Sequence, residues 1–249
     1  QNIVKTVRPQ LVLSVDLGYS PRGELFDVCL AAGLETITWN AAHKNNQLML
    51  KRYSRANRDV HPASLSVRTW HDLQAQPWTH AERERLRREL VGSYLSGEWY
   101  GEVGTQFHTT LQEAAEIRRA LDLDDRKKTA VIFSHIFWDG TFFYGTDLFG
   151  SYEEWFVETM KVACANPHLN WIVKIHPANI VKNVRDGVGS EPSELTAIRS
   201  LGETLPAHVR VVQPDSRMST LSLYSVMDYC VTVRGTVGIE AASFGIPVL

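Results

Sequence analysis

Leu11-Val12-Leu13-Ser14-Val15, then Gly18-Tyr19-Ser20-Pro21-Arg22-Gly23, then Leu25, Val28, Cys29 and Ala32, then residues 34–39 read as strand, turn, helix and strand. The first run is short and apolar, as a buried strand requires. Gly and Pro supply the turn, and Ser20 or Pro21 can start a helix. The third group repeats at helical spacing and stops at Gly33, a natural helix end. Strand, helix and strand in this order make one βαβ unit, and hence a parallel sheet.

The alternation resumes beyond Asp122-Leu123-Asp124-Asp125-Arg126-Lys127-Lys128, a polar stretch that marks a domain boundary. Strands are expected over 129–134, 170–175, 209–212 and 229–233, with helices over 152–164, 193–201, 220–226 and 237–244. Repeated βα units with apolar strands specify a doubly wound domain with helices on both faces. Between the two α/β regions, 48–50 and 64–70 read as strands. Thr79 with Glu82 three positions on opens a helix whose Arg and Glu residues form a solvated face, and a second helix covers 111–121. The expected organisation is therefore 1–78, a helical connector over 79–128, and 129–249. A start at Gln1 and an end at Gly245-Ile246-Pro247-Val248-Leu249, a strand just beginning, predict a fragment cut at both ends.

Composition narrows the function. The 249 residues are 44% hydrophobic and 22% charged with a net charge of −2, which disfavours a nucleic-acid partner. No apolar run approaches the roughly 18–20 residues of a membrane span. Cys29, Cys164 and Cys230 lie far apart in apolar stretches and form neither a disulfide framework nor a zinc site, so a cytoplasmic location is expected. Signatures of dinucleotide oxidoreductases, P-loop kinases, lipase-type hydrolases and zincins are absent from the sequence. Asp122-x-Asp124 imitates an acidic metal pair but sits in a charged connector, so no metal site is expected. His61-Pro62 follows no clear strand and receives no role.

Open α/β sheets bind ligands beyond the carboxyl ends of their strands. Three strand ends carry His135, His176 and Arg234. In the third loop Gly235 lets backbone approach a ligand, Thr236 can cap the next helix, and the helix start with Arg234 suits a phosphate. Glu240, one turn on, can accept hydrogen bonds from paired sugar hydroxyls. Pro177 disfavours helical geometry at His176 and keeps it at the strand tip, with Lys174 on the same sheet face. The aromatic run after His135 either packs or, through Trp138 or Phe142, stacks a base or sugar.

Lys174-Ile175-His176-Pro177, Ser134-His135-Ile136-Phe137-Trp138-Asp139 and Gly235-Thr236-Val237-Gly238-Ile239-Glu240-Ala241-Ala242, followed by Gly245-Ile246-Pro247-Val248, resemble the carboxy-terminal domain of bacterial capsule and surface-polysaccharide glycosyltransferases. The resemblance is best from residue 129 onward. It implies the GT-B fold, two Rossmann-like doubly wound domains facing a cleft. It also implies a metal-independent transferase that uses a nucleotide-sugar donor and no cofactor, with His176, Thr236 and Glu240 at the nucleotide. The acceptor would be a glycan or glycolipid, and a peripheral place at the inner membrane with a polysaccharide assembly complex is allowed. The base would come from the amino-terminal domain, where Asp16, Glu24 and His43 are the candidates. A sugar-nucleotide epimerase, a polyol-phosphate transferase and a non-catalytic nucleotide-binding module are the alternatives.

Overall fold

The computed structural model describes residues 2–42, 47–96, 110–140, 147–178, 180, 191–202 and 204–249. The chain divides into two compact units, Gln1–His80 with Trp138–Leu148, and Ala81–Phe137 with Phe149–Leu249.

In the first unit, helix α1 (Asn2–Val7) precedes strand β1 (Leu11–Val15), helix α2 (Arg22–Ala31) and strand β2 (Glu35–Ala41). Gly33 closes α2 at φ +73, a left-handed conformation that costs glycine no Cβ clash. Strands β1 and β2 pair in parallel from Leu11↔Glu35 to Val15↔Trp39, as the βαβ reading requires. Strand β3 (Leu48–Tyr53) adds an antiparallel edge. Thr36 and Thr38 are buried, and Leu17, Phe26, Leu30 and Tyr53 form a small core. The Phe26 and Tyr53 rings meet edge to face, 5.1 Å apart. Leu11 and Leu13, expected inside, are 51% and 61% exposed. They point to the opposite sheet face from Val12 and Ser14, which pair with the buried threonines. Residues 64–70 are not a strand. Ser66 caps helix α3 (Val67–Gln74) by accepting the Thr69 N–H at 3.1 Å, and Val67, Trp70 and Leu73 recur at helical spacing.

The second unit holds strands β4 (Thr129–Phe133), β5 (Asn170–Lys174), β6 (Val209–Val212) and β7 (Tyr229–Thr232), all parallel in the order β6-β5-β4-β7. Helices α6 (Tyr152–Ala165) and α7 (Ser193–Ser200) cover the face of Ala130, Ile132, Trp171 and Val173. Helices α5 (Ala114–Ala120), α8 (Thr220–Leu223) and α9 (Thr236–Ser243) cover the face of Val131, Ile172 and Cys230. A sheet buried on both sides explains why its strands read as continuous apolar runs. The chain end extends it: the Leu249 N–H donates to the Cys230 carbonyl at 2.9 Å.

The stretch 79–128 does not stand apart as a connector. Ile117 of α5 is fully buried in the second unit's core, and Tyr94, the buried residue of helix α4 (His80–Ser96), bonds into the same unit. Asp122 and Asp124 at the expected boundary are occupied by Arg210 at 2.8 Å and Arg126 at 3.0 Å. Among the described residues no helix is long and apolar enough to cross a membrane.

Candidate active site at the strand ends of the second unit

Strand register places the three strand-end residues on one level. Phe133 of β4 pairs with Lys174 of β5 on one side and with Thr232 of β7 on the other. His135, His176 and Arg234 each lie two residues past that shared rung. The sheet also reverses here: the chain builds β4, β5 and β6 outward, then returns to place β7 on the other side of β4. Ligands of open α/β sheets bind at such switch points, and His135 and Arg234 flank this one.

Local backbone groups hold both imidazoles. Nδ1 of His176 accepts the Ala178 N–H at 3.1 Å, which places the proton of the neutral ring on Nε2. Nδ1 of His135 lies 2.9 Å from the Ile136 nitrogen and 3.3 Å from its carbonyl oxygen. The strand tips are tied together as well. The His176 N–H donates to Ser134 Oγ at 3.1 Å, and the Ser134 N–H donates to the Lys174 carbonyl at 3.1 Å. His135 stacks on Tyr152 with ring centroids 4.0 Å apart, and Phe137 packs on Phe156. This part of the aromatic run is thus packing. Trp138 is 38% exposed, and Phe142 lies outside the described residues.

Lys174 is buried at the end of β5. Burial pulls its ammonium down to about 8, against the opposing pull of Asp215. Arg234 is exposed and holds φ +53, a left-handed conformation that costs a residue with a Cβ roughly 1–2 kcal/mol. Outliers of this kind gather at functional sites.

The α9 corner differs from expectation at two points. Gly235, not Thr236, occupies the capping position; Thr236 is the first helical residue and is exposed. Gly235 has no side chain with which to cap, so the first amides of α9 meet no side-chain acceptor from that position. The close approach at Gly235 is internal: a Cβ there would lie 2.7 Å from Thr232 Oγ1. Glu240 is buried, and its Oε2 accepts from the hydroxyls of Tyr94 and Tyr224. Nothing in the sequence signals these tyrosines, because the contacts bridge distant segments.

The base candidates belong to the first unit. Asp16, at φ +54 beyond β1, turns its Oδ1 back onto the N–H groups of Leu17 and Gly18, at 2.5 and 2.9 Å. Glu24 accepts from Ser20 Oγ at 2.6 Å. His43 lies outside the described residues. Tyr19 donates to Asp139, a carboxylate that no sequence motif marks as functional. Burial and then Asp139 push the Tyr19 phenol well above its usual value.

Among the described residues no group of three His, Cys, Asp or Glu side chains is placed to hold a metal ion. The donors at the strand ends are two imidazoles, an ammonium and a guanidinium, which suit an anion.

No family model matches the chain. No curated protein matches it either. Solved structures do. A Thermosulfurimonas dismutans KpsC, a beta Kdo 2,4 transferase, is 13% identical, with a TM-score of 0.49 over 94% of this chain and 67% of that one. The beta Kdo 2,7 transferase KpsC of the same organism is 14% identical, with a TM-score of 0.43 over 95% and 77%. A Neisseria meningitidis UDP-GlcNAc 2-epimerase bound to UDP-GlcNAc is 12% identical, with a TM-score of 0.37 over 99% and 60%. The likeness is one of chain path and says nothing of chemistry.

Proposed function

We propose that the chain is a GT-B glycosyltransferase that moves a sugar from a nucleotide donor to a growing bacterial capsule or surface polysaccharide. The observation that carries this reading is the shared level of His135, His176 and Arg234, two residues past the Phe133–Lys174–Thr232 rung at the switch point. In this reading Nε2–H of His176 donates to a donor phosphate, Lys174 and Arg234 balance its charge, and the first N–H groups of α9 donate to it end-on. The same groups stabilise the phosphate as it leaves, so the transfer needs no metal. Glu240 turns its remaining oxygen toward the ribose. Acceptor activation is assigned to the first unit, with Asp16, Glu24 and His43 joined by Asp139. The acceptor is a glycan or glycolipid, met at the cytoplasmic side of the inner membrane.

Calorimetry with CMP, CDP, UDP and GDP tests the site and names the donor class. His176→Ala should weaken the best ligand by about 1.5–3 kcal/mol, the range for a hydrogen bond to a charged group. A folded His176→Ala protein with unchanged affinity would remove the histidine from the site. Nucleotide released from a nucleotide sugar only when acceptor glycan is present separates transfer from epimerisation and from binding alone.

A further inference from the structure

Glu240 lies one turn into α9 with its carboxylate buried against α4 and α8, only 6% of the residue exposed. Both its donors use the same oxygen. Tyr94 Oη and Tyr224 Oη, 3.0 Å apart, each donate to Oε2, the second at 3.1 Å. Their rings meet edge to face at 6.0 Å, and Tyr224 also packs on Phe244 at 4.9 Å, so neither phenol swings away without breaking packing. Among the described residues Oε1 takes no donor. A carboxylate holds a vicinal diol by accepting one hydroxyl on each oxygen. With two phenols on Oε2, that clamp is closed.

We propose that Tyr94 sets the sugar selectivity of the nucleotide site. By occupying Oε2 it leaves Glu240 a single oxygen for the ribose, so the site separates a ribonucleotide from its 2′-deoxy counterpart only weakly. The inference rests on the nucleotide reading above. Tyr94 acts through Glu240 and is a positioning residue. Its replacement by phenylalanine keeps the ring packing and returns a lone pair of Oε2 to a ligand.

The experiment takes whichever of CMP, CDP, UDP and GDP binds best, with its 2′-deoxy counterpart, and titrates both by calorimetry into the wild type, Tyr94→Phe and Glu240→Gln. The expected wild-type affinities agree within about threefold, and Tyr94→Phe raises the preference for the ribonucleotide to about tenfold, the scale of one added hydrogen bond. Glu240→Gln leaves the ratio near its wild-type value. Should Tyr94→Phe fail to fold, Tyr224→Phe relieves the same oxygen and is expected to move the ratio in the same direction. A wild-type preference above tenfold, or a ratio unmoved in the folded tyrosine variant, overturns this inference and leaves the nucleotide site standing. No binding of any of the four nucleotides overturns the nucleotide reading and this inference with it.

Discussion

Gly235 and Thr232 leave no room between them for a methyl group: a Cβ on Gly235 would sit 2.7 Å from Thr232 Oγ1. A Cβ on Gly238, three residues on, would likewise lie 3.2 Å from Thr232 Cγ2. Helix α9 therefore rides on the end of β7 through two glycines and one threonine, and its amino terminus is aimed by that contact.

Gly235→Ala should destabilise the protein by about 1–3 kcal/mol, as overpacking does. Thr232→Ala, which deletes the clashing oxygen, should recover most of the loss in the double variant. Denaturant unfolding of both singles and the double measures this. A loss that persists in the double variant would mean that Gly235 is needed for something other than space.

Removing the Glu240 carboxylate takes away the acceptor that the Tyr94 and Tyr224 hydroxyls share. Glu240→Ala should cost about 1–3 kcal/mol of stability, and more than Tyr94→Phe, which leaves Tyr224 in place on the carboxylate. Thermal melting of the two variants side by side gives the order. The reverse order would show that Tyr94 is held by something stronger than Glu240.

Lys174 gives a pH signature. Its folded value of about 8 lies below its ordinary 10.5, so between these limits the unfolded chain binds the proton that the folded chain has lost. Stability therefore rises with pH from about 8 toward 10.5, a gain that Lys174→Met should abolish while raising the melting temperature at pH 7. A bound phosphate favours the ammonium, so nucleotide affinity should be full below pH 8 and fall above it. Binding that stays flat from pH 7 to pH 10 in the wild type would take Lys174 out of the phosphate site.

If the proposed site is right, transfer to an acceptor glycan should continue in EDTA, because cationic side chains and helix amides would carry the charge otherwise left to a metal. Activity that disappears with chelation and returns with Mg²⁺ or Mn²⁺ would count against this arrangement of charge.

The second unit was legible because its strands are buried on both faces, and strand tips followed by His, His and Arg fall at positions that parallel register must align. Two residues past a common rung is a relation that strand boundaries alone imply. The surroundings of Glu240 were not legible: its spacing from Thr236 is local, but its partner Tyr94 lies 146 residues away, and no short-range pattern encodes that distance. Residues 64–70 misled because Leu65, Val67 and Trp70 suit a strand as well as a helix, and the Ser66 cap decided between them. Leu11 and Leu13 carried the apolar signature of a core strand on a face that no described helix covers. The turn in which the Asp16 carboxylate accepts the Leu17 and Gly18 N–H groups was likewise not announced by the strand end it follows.

The path of the chain has a further consequence. It leaves the first unit after His80, returns for Trp138–Leu148, and leaves again. Neither unit is an unbroken stretch of polypeptide, so no single genetic crossover can exchange one for a relative's and keep the other whole. A piece beginning at Thr129 would lose the buried Tyr94 and Ile117 from its own unit. Exchange of either unit would need joined crossovers after His80, Phe137 and Leu148, so recombination cannot pass the two on as simple cassettes.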